Sequence, residues 1–187
     1  MKLFPALLAA TTILASGAGV YAYAQQRNAP ATAEQTERSP DALERLRDWV
    51  MDNNGTERAF DNQYWNNHEA GLYVEARTGE ALFVSTDKFD SGSGWPSFTR
   101  PVDPNNIVMR EDYTMGMRRI EIRSRQGNAH LGHVFDDGPR GSGGQRFCVN
   151  SCAIRFIPRA QMEAQGYARY IALVDATRRD GGGSSRV

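Results

Sequence analysis

Cysteine is nearly missing from this sequence: Cys148 and Cys152 are the only two in 187 residues. Two thiols cannot build a disulfide framework in a chain of this length. An excess of either charge is missing too. The chain carries 22 basic and 22 acidic residues, so its overall balance does not attract nucleic acid, and there is no acidic tail. There is no internal repeat, no P-loop and no dinucleotide-binding glycine fingerprint, which excludes solenoids and the common phosphate cradles. Once the two ends are set aside, about 150 residues remain, enough for one domain with a sizeable core.

The first stretch, "MKLFPALLAATTILASGAGVYAYAQQ", has Lys2, an apolar run from Leu3 to Ala15, then small residues ending in Ala22-Tyr23-Ala24. That order predicts a secretory signal peptide over residues 1–24, cut after Ala24. An uncleaved membrane anchor is the alternative, since Leu3 to Ala24 is just long enough to span a bilayer. No cysteine lies near the cut, so a lipid-anchored cysteine is excluded. The expected location is periplasmic or secreted, an oxidising setting in which two nearby thiols could pair. Residues 25–38 are polar and read as a flexible linker. Residues 171–187 read as the end of a strand and a Gly/Ser-rich flexible tail. The folded domain is expected over 39–170.

Within it, "SPDALERLRDWVMDN" opens with a capping serine and a proline at the first helical position. Leu43, Leu46, Trp49 and Val50 follow at helical spacing. "GLYVEA" and "EALFVS" flank a turn containing Gly79 and predict a hairpin. "RRIEIRS" alternates Ile120 and Ile122 with charged residues, as a half-buried strand does. "AHLGHVF" and "QRFCVNSCAIRFIP" are further strands, and the Gly/Pro-dense "FDDGPRGSGGQ" between them is a loop. "RAQMEAQGY" reads as a short helix. The fold class is mainly β (α+β), antiparallel, with helices at the edge.

Three stretches carry the chemistry. Cys148 sits between Arg146 and Asn150, which share its face if the segment is a strand. A thiol can be a small buried hydrophobe, but one beside a cation is favoured as a thiolate nucleophile. His130 and His133 in "HLGHVF" read three ways: as metal ligands with Cys148, as proton donors beside the thiol, or as structural histidines. On a regular strand, positions three apart face opposite sides, which argues against a shared metal. In "SGSGWPSF", Trp95 is held by a Gly-rich loop, either as a core plug or as the apolar wall of a small-ligand pocket.

Together "KFDSGSGWPSF", "AHLGHVFDDGP" and "RFCVNSCAIRFIP" resemble the signature segments of methionine-R-sulfoxide reductases of the B type, and the likeness runs from Ser39 to Tyr167. The resemblance implies two antiparallel sheets, in a sandwich or barrel-like core around a shallow site, with peripheral helices. It implies reduction of the R epimer of methionine sulfoxide, in proteins and as the free amino acid. Cys148 matches the nucleophile, and His130, His133 and Asn150 match the groups around the sulfoxide oxygen. Trp95 matches the aromatic that receives the S-methyl group, with Phe135 and Arg146 as further substrate contacts. Glu111 or Glu121 is a candidate further acid. The implied partners are oxidised proteins and a thioredoxin-like extracytoplasmic reductant, with a monomeric enzyme and no nucleic acid.

The sequence also departs from that family. Many members bind zinc through two Cys-x-x-Cys pairs; the matching positions here are Glu75 with Thr78 and Ser124 with Gly127, so a zinc-free form with no cofactor is expected. The frequent resolving cysteine is replaced by Ser93. Cys152 is then a possible resolving thiol. On one continuous strand, however, it would lie about 13 Å from Cys148, and a disulfide needs Cα atoms within about 7 Å. Pairing therefore requires the strand to bend; otherwise Cys152 is packed and inert, or an outside thiol reduces Cys148 directly. A metal enzyme built on His130, His133 and Cys148 and a non-catalytic binder of methionine-containing peptides are the competing readings.

Overall fold

The computed structural model describes residues 39–176. The expected signal peptide, the linker and the tail beyond residue 176 lie outside the described residues. Helix α1 (Pro40–Asn53) starts where the sequence places it, the Ser39 hydroxyl accepting the Ala42 N–H at 3.3 Å. It ends at Asn54 in the left-handed conformation, whose N–H donates back toward Val50. Its buried residues are Val50 and Met51.

Nine strands follow: β1 (Gly71–Glu75), β2 (Ala81–Val84), β3 (Lys88–Phe89), β4 (Ser97–Phe98), β5 (Ile107–Asp112), β6 (Arg119–Ser124), β7 (His130–Phe135), β8 (Arg146–Val149) and β9 (Ile154–Pro158). They form two antiparallel sheets. One has three strands in the order β2-β1-β9; the other has six, in the order β3-β4-β8-β7-β6-β5. The fold class is as expected, except that the sheets stay open and no barrel closes.

The period of two along β1 builds two cores at once. Tyr73 points into a cluster with Phe83, Phe98, Ile122 and Phe147, which joins both sheets to α1 through Val50 and Met51. Leu72 and Val74 point the other way, into a cluster with Ala81, Ile157, Met162 and Val174. The C-terminal segment covers that second face. Residues 171–175, expected to end a strand, form a short helix, α2 (Ile171–Asp175), which buries Val174. "RAQMEAQGY" makes a single 3-10 turn, Arg159–Gln161, rather than a helix.

"RFCVNSCAIRFIP" is not one strand. β8 stops at Val149, a 3-10 turn spans Ser151–Ala153, and β9 continues in the other sheet. Apolar residues on both sides of the break explain the misreading: each half alone has strand character, and only the polar Asn150-Ser151 pair marks the crossing.

Candidate active site

The strand register sets five residues side by side. Arg110 pairs with Glu121, Glu121 with His133, His133 with Cys148, and Cys148 with Ser97. Directly opposed residues on antiparallel strands share a face, with Cβ atoms about 5 Å apart. This row crosses the face turned away from the main core, which the neighbouring row of Val134, Phe147 and Phe98 enters.

His130 should face the opposite side from His133, three residues on. An irregularity brings it back. Ile122 pairs with Gly132 but Arg123 pairs with His130, so Leu131 is the extra residue of a bulge in β7. Leu131 enters the core, fully buried, and both imidazoles come to one face, their rings 5.4 Å apart. Asn150 holds the bulge in place: its backbone N–H and its side-chain Nδ2 both donate to the Leu131 carbonyl, at 2.7 and 3.1 Å. Gly132 is required there, because a Cβ on it would collide with the Cys148 carbonyl oxygen.

A carboxylate orients each imidazole. Glu121 Oε1 lies 2.7 Å from His130 Nδ1 and accepts from Arg123 at 2.5 Å. His130 Nε2 is buried with no partner among the described residues. Asp112 Oδ2 lies 2.8 Å from His133 Nε2 and also accepts from Arg119 at 2.7 Å. Hydrogen bonds from Thr114, His133 and the Arg119 charge hold Asp112 well below the usual carboxylate range. Burial pushes both imidazoles below their ordinary value, more strongly than the carboxylates raise them. Glu111 takes no part; it is exposed and bonds Tyr113 and Arg118.

Cys148 is half-buried. Burial pushes its thiol up, opposed by the Arg146 charge and by hydrogen bonds from Ser93, Arg146 and Ser97. Arg146 is itself held by Asp137 through two bonds of 2.8 and 2.9 Å and lies over the Phe135 ring, 4.5 Å from its centroid. Trp95 is half-buried. Its indole Nε1 donates to the Glu57 carbonyl at 3.1 Å, the Glu57 N–H donates to Asn150 Oδ1 at 3.0 Å, and the Glu57 carboxylate accepts from the backbone N–H groups of Ser151 and Cys152. Glu57 thus ties the indole to the end of β8. Asp112 and Glu57 were not singled out in the sequence. A polar "VMREDYT" strand gives no sign of which acid meets a histidine, and Glu57 precedes the first strand in an irregular segment.

A half-buried thiol and two carboxylate-backed imidazoles share one sheet face, and an indole is tied through Glu57 to the end of β8. A family model described as the SelR domain matches residues 43–158. The chain belongs to the SelR family, that of the B-type methionine sulfoxide reductases. It is also 54% identical over 124 residues to a protein named peptide methionine sulfoxide reductase MsrA/MsrB from Vibrio cholerae serotype O1 (strain ATCC 39315 / El Tor Inaba N16961), a match covering 66% of this chain and 32% of that protein. The chain therefore spans about a third of the length of that relative.

Cys152 of this SelR domain lies on the far side of the crossing turn, 4% exposed, in the main core. Burial and the neighbouring Glu57 carboxylate drive its thiol far above the ordinary cysteine value. Both cysteines are free thiols. The positions that carry zinc ligands in many SelR domains do converge: a Cβ on Gly127 would lie 3.1 Å from Ser124 Oγ, 3.3 Å from Thr78 Cγ2 and 3.6 Å from Glu75 Oε1. One carboxylate, one methyl-bearing hydroxyl side chain, one serine and a glycine do not make a zinc thiolate site. Hydrogen bonds hold the two turns. Glu75 accepts from the N–H groups of Arg77 and Thr78, Ser124 Oγ accepts from Ala129 N at 3.1 Å, and Glu80 reaches across to Gln126 N at 2.9 Å.

Proposed function

We propose that this domain reduces the R epimer of methionine sulfoxide, in oxidised proteins and as the free amino acid, by attack of the Cys148 thiolate on sulfur. The observation that carries the reading is the cross-strand pairing of His133 with Cys148, with His130 brought to the same face by the bulge. The Cys148 sulfur bonds to the substrate sulfur; the protonated oxygen then passes to the Cys148 sulfur, as the sulfur–sulfur bond and the substrate's sulfur–oxygen bond both break. The products are methionine and Cys148 sulfenic acid, which an outside thiol reduces through a mixed disulfide, releasing water. The departing oxygen needs a proton. With Nδ1–H committed to the Glu121 carboxylate, neutral His130 presents only a lone pair at Nε2. The proton is therefore taken up at Nε2 as the Cys148 thiol ionises and is passed to the oxygen, and Glu121 balances the imidazolium in between. The Trp95 indole receives the methyl group, a contact worth about 0.3–1.5 kcal/mol. Methyl and oxygen held on opposite sides of one sulfur select a single epimer.

The enzyme in this reading is a zinc-free monomer acting in the periplasm or outside the cell after loss of residues 1–24, served by a thioredoxin-like extracytoplasmic reductant. The sequence of those first residues supports the location, and the glutamate, threonine, serine and glycine at the zinc positions support the lack of metal. With dithiothreitol, the purified protein should reduce the R but not the S sulfoxide, and Cys148→Ser should abolish turnover. Activity that survives in Cys148→Ser ends the thiolate mechanism.

A further inference from the structure

Three connected serine hydroxyls lie beside the strand pair that carries Cys148. Ser97 lies directly across β4–β8 from Cys148 and is fully buried. Ser93 sits in the preceding loop, shaped by Gly92 and Gly94, both in the left-handed region at φ 72° and 88°, and it favours the thiolate form of Cys148. Ser91, the first residue of "SGSGWPSF", joins the two: its Oγ is 2.8 Å from Ser93 Oγ and 2.8 Å from Ser97 Oγ. The Ser97 hydroxyl has a second acceptor, the Trp95 carbonyl at 3.2 Å.

We propose that Ser91, Ser93 and Ser97 form a hydroxyl cradle that reorients when Cys148 ionises, with Ser93 and Ser97 donating to the sulfur and Ser91 acting as the positioning residue behind them. The proton count requires the reorientation. Ser91 has one hydroxyl proton and two hydroxyl neighbours, so it donates to only one of them at a time. While Cys148 is a thiol, Ser97 is free to donate to Ser91 or to the Trp95 carbonyl. Once the sulfur is an anion, the Ser93 and Ser97 protons turn to it, and Ser91 donates to one of the two. Only hydrogens move. The need for such donors follows from the charges around the site: Arg146, the cation beside the thiol, is already paired to Asp137 by two bonds, and burial opposes the thiolate. A serine at 93 thus does work that a second thiol would not, because its hydroxyl stays a donor through the catalytic cycle.

The inference rests on Cys148 as the nucleophile, and it is tested without any sulfoxide. The rate of Cys148 alkylation by iodoacetamide is measured against pH, by mass spectrometry of the Cys148 peptide, alongside thermal melting. Ser91→Ala and Ser97→Ala should each move the profile up by about one pH unit, a roughly tenfold slower reaction at pH 7, while Ser91→Thr keeps the parent profile. Ser91 is only half-buried, so its variants decide the matter if Ser97→Ala does not fold. A folded Ser91→Ala protein with an unmoved profile overturns the cradle, and sulfoxide reduction by the parent protein is scored separately.

Discussion

Glu121 is the residue on which the proposed proton transfer turns. It accepts from His130 and Arg123 and lies in register with His133. Replacing its carboxylate by an amide removes the charge that balances a protonated imidazole. Glu121→Gln should therefore lower turnover by about 10²-fold or more and shift the alkaline fall of the rate to lower pH; a pH–rate profile displaced upward instead would contradict the assignment. The same histidines set a stability trend. Both are held below their ordinary value by burial, so the unfolded chain binds their protons more readily. Their contribution is complete above about pH 6.5 and is lost as pH falls below it. Urea midpoints at pH 7.5 and 5.5 should differ less in His130→Gln than in the parent. At this scale the sequence was informative about identity and poor about pairing. Cys148, His130, His133 and Trp95 stand out as rare types in Gly-rich or alternating contexts. Asp112 and Glu57 are ordinary acids whose roles exist only after the strands are in register.

The bulge in β7 is an element-scale device. Without the bulge, a regular six-residue strand would place one imidazole in the core. The two-residue alternation of "HLGHVF" argued against a shared face for the histidines; an inserted residue leaves no sequence mark beyond a glycine. Gly132→Ala should be severely destabilising, by about 3 kcal/mol or more if β7 and β8 must separate to admit the methyl group, and the Tm in calorimetry should show it. The hairpin of β1 and β2 and the strand β6 were legible from alternation and from the turn at Gly79. The break after β8 was not, because the apolar runs on its two sides merge. The two turns at the positions matching zinc ligands elsewhere in the family make a second test at this scale. Glu80→Ala removes the acceptor of the Gln126 N–H that joins them and should cost about 1–3 kcal/mol, whereas a chelator should leave the melting temperature of the parent unchanged.

Across the whole molecule, the crossing turn decides what becomes of Cys152. It carries that thiol into the core joining both sheets and α1, where Arg47 Nε donates to the Cys152 carbonyl at 3.0 Å. Protein treated with sulfoxide and no reductant should therefore accumulate a sulfenic acid at Cys148 that dimedone traps, and Cys152→Ala should turn over at the parent rate. An internal disulfide between the two cysteines would show that the turn opens during catalysis. The same crossing has a further result. β8 lies within the large sheet and β9 completes the small one, pairing with β1 along five residues, so the four-residue passage between them is fastened at both ends to the body of the protein. The amide of Asn150, bonded to Leu131 at 2.7 Å, should exchange with deuterated water only when the entire domain unravels. The Cys148 sulfur, close to that amide along the chain, should then open as slowly, and heat should silence the enzyme no sooner than it melts the protein.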